Sequence, residues 1–129
     1  MAARNFAPLR CLQRDAVLVF GGGTGAAVDP LTAIVGKTGF AATAPFDQTG
    51  TGLYTVTLRD KYASLLYFDG IVIDATTPGA WAVVVVSETV ATDGKINIAI
   101  FKGGALTDLT TDEKLRVMVA LSNTSQTPS

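Results

Sequence analysis

The sequence predicts an all-β domain, an antiparallel β-sandwich of jelly-roll-like type carrying an extended N-terminal arm. Three observations point there. From Trp81 to Leu121 strand-like apolar runs alternate with turn chemistry: Trp81 to Val90, a break at Asp93-Gly94, Ile96 to Phe101, then Leu115 to Leu121. Leu53 to Arg59 and Leu115 to Leu121 alternate apolar and polar residues with a period of two, which turns one face of each strand toward a core. The length of 129 residues fits one domain, long enough to bury roughly two thirds of the surface that the unfolded chain exposes.

Taken in order, Met1 to Arg14 carries Pro8 and no alternation, so residues 1–14 form an extended arm ahead of a domain spanning 15–124. Asp15 to Phe20 is the first strand. Gly21-Gly22-Gly23-Thr24-Gly25 has too much backbone freedom to continue a ladder, and Asp29-Pro30 marks a turn. Leu31 to Val35 is a second strand and Gly36-Lys37-Thr38-Gly39 another turn. A short strand over Phe40 to Thr43 precedes a loop from Ala44 to Gly52, which contains Pro45 and Gly50. In Leu53 to Arg59, Tyr54, Val56 and Leu58 point inward. Asp60 to Ser64 lacks β-branched residues and reads as a single helical turn. Leu65 to Asp74 returns to strand, and Thr76-Thr77-Pro78-Gly79 is a loop because Pro78 and Gly79 both break ladders.

The next hairpin allows a choice of register. A two-residue Asp93-Gly94 loop would mix apolar with polar residues on each face. A three-residue loop, Thr92-Asp93-Gly94, sets Ala91 opposite Lys95, Val90 opposite Ile96, Thr89 opposite Asn97 and Val86 opposite Ile100, with Gly94 left-handed in a G1 bulge. This register is preferred, although it leaves Glu88 opposite Ile98. After Phe101, Lys102-Gly103-Gly104 opens a connection, and Thr107 to Lys114 has enough Asp and Thr for a short helical turn. Leu115, Val117, Val119 and Leu121 then make one face of a central strand, with Arg116, Met118, Ala120 and Ser122 on the other. Asn123 onward is polar, and residues 125–129 form a flexible tail.

Composition narrows the function classes. Hydrophobic residues make up 48% of the chain and charged residues 16%, against about 25% charged in an average soluble chain. Part of the apolar excess is therefore expected to face another subunit. The net charge of -1 gives no general field for nucleic acid, and no direct nucleic-acid partner is expected. Arg4, Arg10 and Arg14 do precede the first acid, Asp15, and make the arm locally basic. Its charged and apolar residues Arg4, Phe6, Leu9 and Arg10 are the partner-binding candidates.

There is no histidine, and Cys11 is the only cysteine, so no intrachain disulfide forms and nothing activates a thiol nucleophile. Cys11 reads as a small packed residue. Met1 to Leu12 has no continuous apolar stretch, so no signal peptide is expected. The apolar run at Val83 to Val86 is cut by Ser87 and Glu88, well short of the roughly 20 residues a membrane helix needs. No membrane partner is expected. Asn123-Thr124-Ser125 matches a glycosylation sequon, a triplet frequent by chance.

Three patterns invite a chemical reading. Gly21-x-Gly23-x-x-Ala26 formally matches a dinucleotide-binding fingerprint, which works only where a helix starts at the glycines. Here Asp29-Pro30 ends any turn, and the acid about 20 residues on is only Asp47, in a Pro45-containing loop. The stretch reads as a flexible loop. Asp112-Glu113, or Asp69 with Asp74, formally supply two carboxylates for glycosidase chemistry, but they read as solvated loop groups. Asp93 and Asp108 read as turn residues. Tyr54, Tyr62, Tyr67 and Trp81 are the candidates for a stacking platform, with Tyr54 assigned to the core and Trp81 to a sheet edge or interface. No cofactor, metal or enzymatic activity is expected.

Two stretches carry a family resemblance: Gly50-Thr51-Gly52-Leu53-Tyr54-Thr55-Val56-Thr57-Leu58, and Asp108-Leu109 with Glu113-Lys114-Leu115-Arg116-Val117-Met118-Val119-Ala120-Leu121-Ser122-Asn123. Their pattern resembles the small virion proteins of tailed bacteriophages that decorate or cement the capsid, loosely over Asp15 to Thr124. The resemblance implies a non-enzymatic homotrimer on the capsid surface, made in the host cytoplasm. It would sit at three-fold or quasi-three-fold junctions and bind the major capsid protein through an extended arm. The alternative is a tail or receptor-binding appendage that recognises host surface glycan.

Overall fold

The computed structural model describes residues 16–24, 32–35, 39–42, 44–110 and 112–122. The arm, with Arg4, Phe6, Leu9, Arg10 and Cys11, and the tail at 125–129 lie outside the described residues. Nine strands follow in order: β1 (Ala16–Thr24), β2 (Thr32–Val35), β3 (Phe46–Gly50), β4 (Leu53–Thr57), β5 (Ser64–Asp74), β6 (Trp81–Thr89), β7 (Lys95–Lys102), β8 (Ala105–Leu106) and β9 (Glu113–Ser122). They form two antiparallel sheets, one ordered β2-β1-β9-β5 and the other β3-β4-β7-β6, with β8 attached to β7. Among the described residues there is no α-helix, and the all-β class is what the chain adopts.

Period-two alternation builds the core. On β9, Leu115, Val117, Val119 and Leu121 are buried, and on β7 so are Ile96, Ile98 and Ile100. Tyr54, Val56 and Leu58 alternate inward as their spacing predicts. These side chains from both sheets form one cluster with Val19, Phe40, Phe46, Val90 and Leu109. Each large aliphatic so buried contributes about 1.5–3 kcal/mol of transfer free energy. The rings of Phe40 and Phe46 stand 5.0 Å apart, which holds the chain entering β3 against the core. As expected, β9 is central, paired with β1 on one side and β5 on the other.

Several expectations are corrected. The glycine run does not end the first strand: β1 continues through Gly21, Gly22 and Gly23 to Thr24, opposite Val117, Arg116, Leu115 and Lys114. A glycine in a strand costs about 0.5–1 kcal/mol, and its backbone still pairs fully with a long central neighbour. The loop expected over Ala44 to Gly52 contains β3, because Phe46 is buried opposite Val56. Phe40 makes only an isolated bridge to Leu58, so the short strand expected there is reduced to a single pair.

The helical turn expected over Asp60 to Ser64 does not form, and that expected over Thr107 to Lys114 is limited to the bond from Glu113 N to Thr110 O. Across Asp60 to Ser64 the backbone donors bond to distant strands, Tyr62 N to Val90 O at 3.1 Å and Ala63 N to Ser122 O at 2.9 Å. In the Thr107 to Lys114 segment, Thr107 N bonds to Ile100 O and Leu109 N to the Tyr54 hydroxyl, which leaves one tight turn at Thr110 before β9 begins at Glu113. The connection that opens at Lys102-Gly103-Gly104 starts with a hairpin. Gly103 and Gly104 have φ of 60° and 84°, the left-handed pair that a two-residue primed turn requires, and Lys102 pairs with Ala105.

The β6–β7 register differs from both alternatives considered. Thr89 pairs with Lys95, Glu88 with Ile96 and Ser87 with Asn97, so the loop spans the five residues from Val90 to Gly94. Burial decides this: Val90 leaves the ladder and enters the core with no exposed surface. Thr92 N, Asp93 N and Gly94 N all bond to Thr89 O, and the Glu88 carboxylate accepts from Val90 N. Gly94 is left-handed as expected, at φ 71°. The extra residue sits within β6, where the register shifts between Val85 and Ser87 and leaves Val86 61% exposed.

Gly52 has φ 67°, and a Cβ there would lie 2.8 Å from Thr107 N and 2.9 Å from Ile100 O, whereas a Cβ on Gly104 meets nothing within 4 Å. Gly104→Ala should therefore cost about 1 kcal/mol, the conformational penalty alone, and Gly52→Ala about 3 kcal/mol or more because backbone must also move. Paired urea denaturation curves check the order; equal losses would contradict it.

Candidate functional site

Among the described residues, the buried side-chain polar atoms hold the fold through hydrogen bonds, with Gln48 Oε1 the exception that has no partner. Asp74, at the end of β5, has a side chain only 2% exposed. Its Oδ1 accepts from Thr76 N and Thr77 N at 3.2 and 2.9 Å, and its Oδ2 accepts from Trp81 Nε1 at 3.2 Å and Lys102 Nζ at 3.4 Å. The Lys102 ammonium also donates to Thr77 O at 2.8 Å and stands 5.1 Å from the centre of the Trp81 ring. One carboxylate thus ties the last residue of β5 in one sheet to the first residue of β6 and the end of β7 in the other. The Thr77 amide, then the Trp81 and Lys102 donors, hold Asp74 below its ordinary pKa against an opposing desolvation effect.

A second set of anchors fixes the segment before β9. Asp108 Oδ1 accepts from Gly52 N at 2.7 Å and Gln48 Nε2 at 2.8 Å. Tyr54, expected in the core and found there, accepts Leu109 N on its hydroxyl at 2.9 Å. Burial raises the Tyr54 pKa, and the nearby charges of Asp108 and Glu113 add to the rise. Glu113 is 6% exposed and takes hydrogen bonds from the Thr110 hydroxyl and amide. It is therefore a buried anchor, which corrects the solvated reading, while Asp112 is exposed.

The other tempting groups do not converge. Asp69 and Asp74 are five residues apart on one strand and so face opposite sides of it. Gly21 and Gly23 lie inside β1 and open no helix. Tyr54 is buried, Tyr62 half-buried, Tyr67 52% exposed on the outer side of β5, and Trp81 packs against the core from the edge strand β6. Among the described residues, no three His, Cys, Asp or Glu side chains gather to hold a metal ion.

Beside its exposed charged and polar groups, the surface offers a set of large apolar side chains. On the outer side of β5, Tyr67, Ile71 and Ile73 are exposed, in register with Ala120, Arg116 and Lys114 of β9. On β6, Val84 and Val86 are exposed, and Leu106 on β8 extends the same character beyond Phe101. Sheet pairing makes β5 the outer strand of one sheet and β6 the outer strand of the other. Gly70 brings the two together: a Cβ there would lie 2.8 Å from Val83 Cγ1. The exposed side chains of β5 and those of β6 therefore point away from each other, to opposite outer faces beside this edge. Composition signalled the amount of this surface, but its place depends on which strands end the sheets.

Asp74→Asn keeps one acceptor for the Thr77 amide and loses the charge facing Lys102, so it should lower the melting temperature at neutral pH. Because the folded carboxyl is held below its ordinary value near 3.8, the wild-type advantage is fully present above that value and fades as pH falls through the lowered one. Thermal melts of both proteins from neutral to acid pH check this; a gap that does not narrow as pH falls below 3.8 contradicts it. Tyr54→Phe strands the buried Leu109 amide and should cost about 1–3 kcal/mol in denaturant titrations. No protein family, curated protein or solved structure matches the chain, and function has to be read from its own surface.

Proposed function

We propose that the chain is a structural virion protein that decorates a tailed-bacteriophage capsid and stabilises it by bridging neighbouring capsomers. In this reading it is a jelly-roll-like β-sandwich that works as a homo-oligomer and performs no catalysis. The observation that carries it is the division of labour in the side chains. The buried carboxylate of Asp74 holds Thr77, Trp81 and Lys102 and that of Glu113 holds Thr110, while Tyr67, Ile71, Ile73, Val84, Val86 and Leu106 stand exposed. Such a surface suits contact with protein, since monomers rarely leave large apolar patches in water.

The mechanism is mechanical. Many subunits each add contact area between coat proteins, and the summed area resists outward pressure from packaged DNA. In the proposal the arm is the docking strap: Phe6 and Leu9 bury against the major capsid protein and Arg4 and Arg10 pair with its acidic groups.

In this reading the strands from β1 onward carry the core, so removing residues 1–12 should leave the melting temperature close to that of the full chain and abolish most binding to capsids. Cosedimentation with assembled shells and with isolated coat protein measures this. Tight shell binding by the truncated chain would assign the contact to the domain. Binding to host surface glycan, with none to shells, would favour the tail-appendage alternative over decoration.

A further inference from the structure

We propose that two copies of this chain join edge to edge through β5, about a two-fold axis at Gly70, so that Tyr67 of each copy lies opposite Ile73 of the other. The inference rests on the strand edges and does not require the virion role.

The edges differ in how they are guarded. β2 and β3 are outer strands of only four and five residues. β6 is longer, but its bulge at Val86 leaves a short regular stretch and its far end carries Glu88. β5 has eleven residues, pairs with β9 on one side, and pairs with no strand on the other among the described residues. It contains no Lys, Arg or Pro, the residues that usually blunt an edge. Its irregularity, between Leu65 and Tyr67, lies at one end and leaves Tyr67 to Asp74 regular. Within that stretch only Asp69 and Asp74 carry charge, the second turned inward and committed to Thr77 and Lys102, and the exposed Tyr67, Ile71 and Ile73 favour pairing with another strand.

The sequence of β5 selects the occupant and the register. In an antiparallel pair of identical strands, a shift by one residue sets outward side chains against inward ones and is excluded. Among the remaining choices, a centre at Asp69 stacks two like charges directly opposite one another. A centre at Ile71 places Tyr67 opposite Ala75, beyond the strand end. The centre at Gly70 avoids both. It forms two Tyr67–Ile73 pairs, an aromatic on a β-branched side chain, which is among the favourable cross-strand combinations. It also sets Asp69 opposite Ile71 of the second copy, whose own neighbour on the same face is Arg116. Asp69 makes no salt bridge among the described residues, and this register keeps it from facing the Asp69 of the second copy.

The contact is large enough to hold. The regular stretch is about 27 Å long, and β6, whose Val83 packs against Gly70, adds a second layer about 10 Å away. Edge-on contact of both layers removes on the order of 1,000 Å² in total, the lower end for a specific interface. Pairing of identical surfaces about a two-fold axis closes on itself and does not grow into a filament. It also departs from the three-fold association that the family resemblance implies, since three copies cannot each pair β5 with itself.

Light scattering with size exclusion should give the full chain twice its 13.4 kDa subunit mass. Tyr67→Lys combined with Ile73→Lys sets lysine against lysine at both ends and should give a subunit-sized species with unchanged far-UV circular dichroism. A monomeric or trimeric wild type, or a folded double-lysine variant of wild-type mass, overturns the proposal. Should that variant not fold, cysteine pairs decide. In a Cys11→Ser background, Asp69→Cys mixed with Ile71→Cys should form the mixed disulfide faster than either variant crosslinks alone. Equal or faster crosslinking within one variant overturns the Gly70 register.

Discussion

Everything in this fold hangs on the ten residues of β9. Because strand side chains alternate, Leu115, Val117, Val119 and Leu121 share one face, and all four are buried against the opposite sheet. The same strand supplies the hydrogen-bonding edge for β1 along nine consecutive pairs and for β5 along ten. A slip of one residue would send its apolar face to solvent and carry both neighbours with it. The facing sheet answers with Ile96, Ile98 and Ile100, which makes β7 the counterpart of β9 and leaves β4 and β6 to flank it.

From this central pair, the connections follow where buried polar groups find partners. Asp74 closes the β5–β6 passage between sheets with one carboxylate shared among Thr76, Thr77, Trp81 and Lys102. Asp108, Tyr54 and Glu113 do the same for the segment that returns the chain to β9. With these groups committed to the fold, the surface left to meet another molecule combines exposed charges such as Arg59, Asp69 and Lys95 with the apolar side chains of β5, β6 and β8.

The strands whose side chains alternate were legible in the sequence. Leu53 to Arg59 and Leu115 to Leu121 show the period directly, and Leu65 to Asp74 and Thr32 to Val35 fall within a residue or so of their expected bounds. What was not legible depended on partners remote in the chain. Gly21 to Gly23 look like a breaker until β9 lies beside them. Phe46 makes a strand of a proline-led loop because Val56 stands opposite. Val90 is drawn from the ladder into the core, which lengthens the β6–β7 loop to five residues and moves the register by two. Gly103-Gly104 was legible in principle, since paired glycines suit a primed turn, but only the short β8 beyond them makes the hairpin. Of the surface, the composition showed that apolar residues exceed what one core needs, and only the strand order placed them on the β5–β6 side. The arm residues Arg4, Phe6, Leu9 and Arg10 lie outside the described residues.

The central claim is that this fold buries one face of each sheet and leaves the β5 edge to be completed by another copy. Amide hydrogen exchange measured at several protein concentrations tests it most directly, because edge amides are protected only while a partner strand covers them. The prediction is that alternate amides between Tyr67 and Asp74 slow as concentration rises, while those of β9 stay slow throughout. Exchange along β5 that is independent of concentration would contradict the account.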